Sequence, residues 1–325
     1  MFKPQLFQTV CGNASEQSEQ HIVYRDIQKG ERKEVAIYAV LPGIEVAWFD
    51  YRVSQVAQRR TEVCADAVEL QHCREGRAEF TMMDGCVQFQ GEGDLFISTK
   101  ENHSECIELP LGVYRGVAMT MDWCVALSAL QEQLPGLAGQ LPLLMERFLG
   151  NDECFMIQAN EEVQALFAGM YMAPSALRHS YAYLKVLETI LYLSCFDVKS
   201  EEQKGLYARQ QVDVIKQIQK KITADLSQRY TIEALAREFC ISPTSLKEHF
   251  RGIYGQSIAA YMKTIRMRKA SKLLGQSTYS IGEIARMVGY ESQSKFGAAF
   301  KEEMHVAPSS YRNNGGVSDC KERDQ

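Results

Sequence analysis

The sequence lacks the segments that would export the chain or anchor it in a bilayer. No apolar run approaches the ~18 residues that a membrane-spanning helix needs. The opening stretch MFKPQLFQTVCGNASEQSEQ is too polar for the apolar core of a signal peptide. The ten cysteines include no CxxC pair. We therefore expect reduced thiols, a cytoplasmic location and no membrane partner.

The sequence also has few histidines, and none of them has the HxH spacing of catalytic metal sites. His21, His72 and His103 stand alone in the sequence, whereas a metal site needs several ligands close together. His72, which precedes Cys73, is more typical of strand packing than of metal ligation. The GEG run at 91–93 lacks the strand–helix context of a dinucleotide site and indicates a turn. The sequence thus predicts no enzyme, no catalytic residue, no metal site and no cofactor.

The net charge of −5 would argue against nucleic acid if it were spread evenly along the chain. It is not. Residues 209–312 carry 17 Lys and Arg against 9 Asp and Glu, a net charge of +8, and residues 1–208 carry 17 against 29, a net charge of −12. The C-terminal part is basic although the rest of the chain is acidic, so any phosphate binding is expected in the C-terminal part.

The length of 325 residues suits two domains. Residues 197–204, DVKSEEQK, are charged and have no core pattern, so we place the linker between the domains there. The predicted domains are an N-terminal domain over 1–200 and a C-terminal domain over 208–312. The polar ending NNGGVSDCKERDQ predicts a disordered tail over 313–325.

Short alternating runs predict strands between residues 34 and 123, after a polar lead-in over 1–34 that we expect to be irregular. Residues 67–81 predict a hairpin with its turn at Glu75-Gly76. Several short strands at this spacing are typical of a sandwich or a small barrel. The other predicted strands are 35–41, 44–53, 87–90, 95–98 and 114–121.

A helical pattern follows from 122 to 196. Its last part, YAYLKVLETILYLSCF over 181–196, is apolar on most sides, with Lys185 and Glu188 as exceptions. A helix that is apolar nearly all round is buried either in its own domain or against a partner. The sequence leaves both alternatives open.

The C-terminal domain contains one pattern twice, over 231–257 and over 280–307. Ile232 matches Ile281 at an offset of 49 residues, whereas later positions match at an offset of 50. One extra residue in the second copy accounts for the difference. Two copies make an internal repeat of a helical unit.

Each copy predicts two short helices joined by a tight turn. Thr231 and Ser280 are suited to cap the first helix, and Glu283 completes a capping box with Ser280. The predicted turns are at 240–242 and at 289–291, where the glycine can take a positive φ.

The second helix of each copy is held inward by two large apolar residues, Leu246 and Phe250 in one copy and Phe296 and Phe300 in the other. This arrangement is the helix-turn-helix signature, whose second helix enters the major groove of DNA. Between the copies, residues 257–274 predict a linker helix about 27 Å long at ~1.5 Å per residue. That length suits two recognition helices in successive major grooves, which lie ~34 Å apart on DNA.

These motifs resemble the AraC/XylS family of transcription regulators. The runs IRMRKASKLL, IGEIARMVGYESQSKF and AFKEEMHVAPSSYR match the signature of that family over the C-terminal third of the chain. The segment LKEHFRGIYGQSIAAYMKTIRM, together with VGYESQSKF, is most similar to the branch of pyochelin-type siderophore regulators.

The resemblance implies a function, a fold and partners. It implies control of transcription, as an activator, by binding double-stranded operator DNA, with RNA polymerase as a partner. It also implies a cupin-like effector-binding barrel, in which GEGDLFIS forms a turn into a strand, and helices after the barrel that form a homodimer. A ferric siderophore is the first candidate effector. The predicted fold class is α+β: an N-terminal cupin-like β-barrel with following helices, then an all-α domain with two helix-turn-helix motifs joined by a linker helix.

The residues predicted to meet DNA lie on the sides of the two recognition helices that face away from the core. A glutamine suits a bidentate contact to adenine, and a lysine can bind guanine or phosphate. Arg251 and Lys301 are better placed for phosphate. By the resemblance, the base-facing positions are Thr244, Lys247, Gln293, Ser294 and Lys295. The complete set of candidates is Thr244, Lys247, Glu248, Arg251, Ser292, Gln293, Ser294, Lys295 and Lys301.

Three positions depart from the pattern of the family. Glu248 and Ala298 stand where many relatives carry arginine, and His305 replaces a glycine that is common before the closing Pro308. A carboxylate near phosphates is unfavourable unless it accepts a hydrogen bond from a cytosine amine.

Two other functions stay open at this point. One is a regulator without an effector, whose N-terminal domain binds a protein partner; the other is a cupin enzyme fused to a DNA anchor. A ligand cavity would favour the effector-controlled regulator, and an exposed apolar patch would favour the protein-binding one. A metal held by histidines would favour the enzyme.

Overall fold

The chain folds into two compact units, Met1–Arg209 and Gln210–Gln325. Most of the predicted linker and of the predicted tail lies outside the described residues, and so does His103. The computed structural model describes residues 3–7, 14–28, 31–57, 67–82, 85–99, 106–150, 154–198 and 206–313.

The N-terminal unit contains two antiparallel sheets. The larger has the strand order β1-β2-β3-β4-β11-β6-β9-β12, and the smaller has the order β13-β8-β7-β10-β5. The strands are β1 (Ala14–Gln17), β2 (His21–Gln28), β3 (Glu31–Leu41), β4 (Ile44–Arg52), β5 (Gln55–Ala57), β6 (Ala67–Gly76), β7 (Ala78–Thr81), β8 (Val87–Gln90), β9 (Leu95–Thr99), β10 (Cys106–Glu108), β11 (Tyr114–Asp122), β12 (Cys154–Ile157) and β13 (Leu206–Tyr207).

The α+β prediction is confirmed, but the predicted barrel is not closed. Among the described strands, pairing produces two separate sheets whose end strands do not join each other. The two sheets enclose a buried cluster that includes Ile37, Phe80, Phe96 and Ile107. Closure is a property of strand pairing, which alternation along one strand does not specify.

Three details of the strand prediction were wrong. The stretch over 122–196, predicted to be helical, contains β12, which pairs with β9. The supposedly irregular lead-in contains β2, which pairs with β3 along its whole length and buries Ile22 and Val23. The predicted hairpin over 67–81 is not a hairpin, because β6 lies in the larger sheet and β7 in the smaller. Gly76, at φ +95°, instead lets the chain cross between sheets.

Helices cover the outer face of the larger sheet. Their apolar sides join Leu70, Ile97 and Val117 of the sheet in one buried cluster. The helices are α1 (Trp123–Gln133), α2 (Leu144–Leu149), α3 (Glu161–Met172) and α4 (Arg178–Cys195). Asp122 and Asn160 cap α1 and α3 with their side chains, each accepting from a backbone N–H three residues on.

Helix α4 is the apolar stretch for which two burial alternatives were open. Val186, Ile190 and Leu193 are buried in the cluster of the N-terminal unit. The opposite side is not buried: Leu184 is 60% exposed and Leu191 is 44% exposed. One face of the helix therefore belongs to its own core, and the other remains accessible to a partner.

His72 is a packing residue, as its sequence context indicated. Its ring stacks on Phe167 with 4.4 Å between centroids, and its Nδ1 lies 2.7 Å from the hydroxyl of Tyr171. Burial, reinforced by the positive charge of Arg74, lowers the pKa of His72 to about 4, so the ring is neutral near pH 7. Within the described residues, no group of three or more His, Cys, Asp or Glu side chains is arranged to hold a metal ion.

The second unit is helical. None of the helices that the structure describes is long and apolar enough to span a bilayer. The helices are α5 (Arg209–Ala224), α6 (Ile232–Glu238), α7 (Pro243–Tyr254), α8 (Ile258–Gln276), α9 (Ile281–Met287), α10 (Gln293–Met304) and α11 (Pro308–Asn313).

Candidate DNA-binding surface

The first helix-turn-helix consists of α6 and α7. Thr231 Oγ1 accepts from the backbone N–H of Ala234 at 3.1 Å and so caps α6. Ser242 Oγ accepts from the N–H of Ser245 at 3.0 Å and caps α7. Satisfying the end of each helix with a local side chain fixes where the tight turn begins and ends.

The second helix-turn-helix consists of α9 and α10. The predicted capping box is present: Ser280 Oγ accepts from the N–H of Glu283 at 3.2 Å, and the Glu283 carboxylate accepts from the N–H of Ser280 at 2.7 Å. These hydrogen bonds lower the pKa of Glu283. Ser292 caps α10 by accepting from the N–H of Lys295.

The repeat extends to the backbone conformation. The turn after the first helix of each copy contains a residue with a positive φ, Cys240 (+53°) in one copy and Gly289 (+83°) in the other. The residue that follows each recognition helix also has a positive φ, Gly255 (+74°) in one copy and His305 (+61°) in the other. Each copy thus places one glycine and one non-glycine residue in the left-handed region. The left-handed turn is kept at His305 although the glycine of the family is absent there.

The same aromatic contact anchors both recognition helices. Phe250 of α7 meets Tyr261 edge-on with ring centroids 5.5 Å apart, and Phe300 of α10 meets Tyr311 edge-on, also at 5.5 Å. Phe250 and Phe300 are fully buried. Edge-to-face aromatic pairs at this distance are favourable, so each recognition helix is fixed to the helix that follows it.

Helix α8 connects the two copies, as the sequence predicted. Its 19 residues give a length of about 28 Å at ~1.5 Å per residue. Tyr261 and Leu274 are buried, and Ile265 and Leu273 are half-buried. Met267 is fully buried.

Two polar contacts tie the linker helix to the second recognition helix. Lys263 Nζ lies 2.7 Å from the carboxylate of Glu302, and Thr264 Oγ1 donates to Glu303 at 2.8 Å. The orientation of α10 is therefore set by the linker helix as well as by the apolar core.

The DNA candidates of α7 share one exposed face. Thr244, Lys247, Glu248 and Arg251 are all exposed. Their spacing of three or four residues places them on one side of the helix, opposite the buried Phe250. This face carries hydrogen-bonding and charged groups of both signs.

The equivalent face of α10 is different in chemistry. Gln293, Ser294, Lys295 and Lys301 are exposed, but Ser292 is half-buried and its hydroxyl is used to cap the helix. Ser292 is therefore a structural residue in the first place, a role that its position before the helix could have indicated.

Two small residues on that face were not among the candidates. Gly297 and Ala298 occupy the positions equivalent to Lys247 and Glu248, and a Cβ added at Gly297 would meet no atom within 4 Å. A helix face with short side chains lets its backbone approach a partner closely. The repeat alignment was the signal that could have identified these positions.

The comparisons with known proteins agree with this geometry. A profile of the helix-turn-helix domain matches residues 235–314. The probable transcription factor PqrA of Proteus vulgaris is 31% identical over 88 residues, which cover 27% of this chain and 72% of PqrA. The chain belongs to the AraC/XylS family of transcription regulators. The pyochelin-type branch stays a prediction.

Other transcription regulators of the helix-turn-helix type match different lengths of the chain. The HTH-type transcriptional regulator MtrA of Neisseria gonorrhoeae is 34% identical over 87 residues, covering 27% of this chain and 29% of MtrA. The HTH-type transcriptional activator RhaR of Pectobacterium atrosepticum is 27% identical over 228 residues, covering 68% of this chain and 75% of RhaR. The chain thus spans under a third of the length of MtrA but three quarters of RhaR. As a family member, the chain contains an AraC-type helix-turn-helix DNA-binding domain.

Proposed function

We propose that this AraC/XylS regulator is an activator that binds operator DNA through the exposed faces of α7 and α10. The observation that carries the proposal is the repetition of one arrangement, a buried phenylalanine on one side of each recognition helix and exposed polar residues on the other. Two such helices joined by a helix of about 28 Å suit adjacent major grooves. The name of the relative RhaR supports activation, with RNA polymerase as the proposed partner.

The proposed contacts divide by chemistry. Thr244, Lys247, Gln293, Ser294 and Lys295 are proposed to face bases, and Arg251 and Lys301 to bind phosphates. Arg251 and Lys301 are repeat-equivalent and both exposed, as expected for residues that grip the backbone in two successive grooves. Selection of duplexes from a random pool with the full chain tests the proposal: enrichment of one sequence with two half-sites a helical turn apart is expected. Recovery of unrelated sequences would contradict it.

Glu248 is proposed to limit the affinity for DNA. It lies between Leu246 and Phe250, is exposed, and forms no ion pair with any residue that the structure describes. We expect Glu248→Arg to tighten binding to all duplexes, because repulsion from phosphate becomes attraction, and to steepen the log–log salt slope by about one unit. Titration of cognate and scrambled duplexes at two salt concentrations measures both effects.

A matched control separates the local effect from the change in net charge. Glu132 is exposed on α1 of the N-terminal unit, and Glu132→Arg is expected to leave the slope unchanged. A different result for Glu248→Arg, a loss of about 1–3 kcal/mol on the cognate duplex alone, would mean that Glu248 accepts from a cytosine.

The N-terminal unit is proposed to sense a small-molecule effector. The resemblance favours this assignment, and a ferric siderophore was its first candidate. The alternative is a protein partner in place of a ligand. Native mass spectrometry of the full chain purified from its own host distinguishes them, since a retained small molecule supports the first and a retained protein the second.

A homodimer through α4 is proposed as the active assembly. The exposed side of this helix presents Tyr181, Leu184 and Leu191, and the exposed Leu177 directly precedes the helix. The exposed Glu188 lies between Leu184 and Leu191. These positions are spaced alternately by four and three residues, the spacing of a coiled-coil seam. The spacing favours a second copy of the same helix as the occupant of this face.

Charged residues in the seam are expected to separate the protomers. Leu184→Glu with Leu191→Glu should weaken self-association by at least about a hundredfold, since burial of one leucine contributes about 1.5–3 kcal/mol. Sedimentation of the full chain measures this. Leu143→Glu, at an exposed apolar residue outside α4, is the control. A dimer that survives the double change, or a wild type that is monomeric, would contradict the proposal.

A further inference from the structure

A row of polar side chains crosses the inner face of the larger sheet. Glu45 is opposite Thr120, Thr120 is opposite Glu69, and Glu69 is opposite Ser98. All four residues are buried. Residues opposite each other on neighbouring strands project from the same face of a sheet. The four polar groups therefore stand side by side across β4, β11, β6 and β9.

Two members of the row are carboxylates, and they differ in their partners. The oxygens of Glu45 accept from the backbone N–H groups of Gln5, Leu6 and Phe7, at 2.6, 3.1 and 3.0 Å. Glu69 accepts from Thr120 Oγ1 at 3.0 Å. Glu69 forms no ion pair with any residue in the described part of the chain, and it is only 6% exposed. A buried carboxylate without a cation is unfavourable.

A second acceptor lies one step along the same face. Gln71 follows Glu69 by two residues and is 5% exposed. Its Nε2 donates to the hydroxyl of Tyr114 at 2.7 Å, and that hydroxyl donates to Gln90. The Oε1 of the same amide is buried and has no hydrogen-bond partner among the described residues. Buried polar atoms are normally paired, so this oxygen is open to a donor that the described residues do not supply.

Short side chains adjoin these acceptors. Ala118 is opposite both Ala47 and Gln71 in the row next to Glu69 and Thr120. Within the described residues, the row next to Glu69 and Thr120 thus presents two alanines beside Gln71. The charge of the row is negative, which favours a cation and disfavours an anionic ligand such as an acidic iron chelate.

We propose that this polar row binds a small organic cation, whose ammonium or guanidinium group donates to Glu69 and to Gln71 Oε1. The proposal rests on the effector-controlled function above and gives the effector its chemistry. Glu69 is the charged anchor, because the carboxylate of Glu45 already accepts three peptide N–H groups. A charged donor on a buried carboxylate forms the strong kind of hydrogen bond.

Three matched series of probes test the charge of the ligand. The full chain is titrated by calorimetry with α,ω-diaminoalkanes of graded length, and with the diols and dicarboxylates of the same lengths. We expect the diamines to bind and the other two series not to bind. Glu69→Gln is expected to weaken the binding of the diamine by about tenfold or more, because a charge-assisted hydrogen bond becomes a neutral one.

Glu75→Gln is the matched control, since Glu75 lies on the same strand, is half exposed and pairs with Arg115 at 3.6 Å. It should leave diamine affinity unchanged. In urea unfolding without ligand, Glu69→Gln should raise the midpoint, because the amide keeps an acceptor for Thr120 and removes an uncompensated buried charge. If Glu69 binds the ligand, Glu69→Gln raises the stability of the free protein and lowers its affinity for the diamine. If Glu69 were purely structural, the diamine affinity would not change.

Several outcomes would overturn the inference: no diamine binding by the wild type, unchanged diamine affinity in Glu69→Gln, or a lowered midpoint in that variant. Binding of diols or dicarboxylates in place of diamines would also overturn it, while leaving an effector-controlled regulator intact. Operator binding by the same preparations reports on the DNA-binding proposal independently. Failure of the cation site and failure of the regulator function are therefore distinguishable.

Discussion

Raising the salt concentration from 50 to 200 mM is expected to weaken binding of the full chain to its selected operator by roughly 10³–10⁵-fold. This range corresponds to about six to ten neutralised phosphates, and the slope of log affinity against log salt is about −0.9 for each. The reason lies in the charge distribution: residues 209–312 have a net charge of +8, although the whole chain has −5. Fluorescence anisotropy titrations over a salt series measure the slope.

Single substitutions assign the phosphate contacts. Arg251→Ala and Lys301→Ala are each expected to reduce the slope by about one unit and to weaken binding equally on cognate and scrambled duplexes. Lys33→Ala, on β3 of the N-terminal unit, changes the net charge by the same amount and should leave the slope unaltered. A slope near zero in the wild type, or a cognate-only loss in both variants, would contradict the phosphate assignment.

Phe300→Ala is expected to destabilise the helical unit by about 3–5 kcal/mol, because it removes a fully buried ring and leaves a cavity. The ring lies 5.7 Å from Phe296 and 5.5 Å from Tyr311, between centroids. Since it holds α10 in place, operator affinity should fall together with stability. Urea unfolding of the full chain, followed by the helical signal, measures the first effect.

Glu302→Ala is the control for this change. Glu302 is two residues further along α10 and its side chain is 72% exposed in an ion pair with Lys263, so its removal should cost about 0–1 kcal/mol. Phe250→Ala, the equivalent change in the first copy, should resemble Phe300→Ala, because both rings make the same edge-on contact with a tyrosine. A loss below ~1 kcal/mol for Phe300→Ala would contradict the packing argument.

Much of the helical unit followed from the sequence because its signals are local. The capping box of Ser280 and Glu283 joins groups three residues apart, and Phe296 and Phe300 lie one turn apart on one face. Such signals need no knowledge of the rest of the chain. The turn glycine at Gly289 was likewise readable, because few other residues adopt a positive φ easily.

In the N-terminal unit, local sequence signals predicted strands but not how the strands pair. Alternation predicted most of its strands, but it could not specify that β6 and β7 lie in different sheets or that the sheets leave the barrel unclosed. Strand partners are distant in sequence, and one alternating pattern is compatible with several pairings. Strand β2 has few apolar residues, and they lie next to charged ones, so its pairing with β3 was not predicted.

The sequence by itself determined the repeated helix-turn-helix, its caps, its inward phenylalanines and hence the family. Only the tertiary structure decided what each polar residue does. It set Glu45, Thr120 and Glu69 in one buried row although they are far apart in sequence. It also divided α4 into a buried and an exposed face. The physical reason is that caps and helical faces arise from neighbours within one or two turns, whereas burial and pairing depend on residues that only folding brings together.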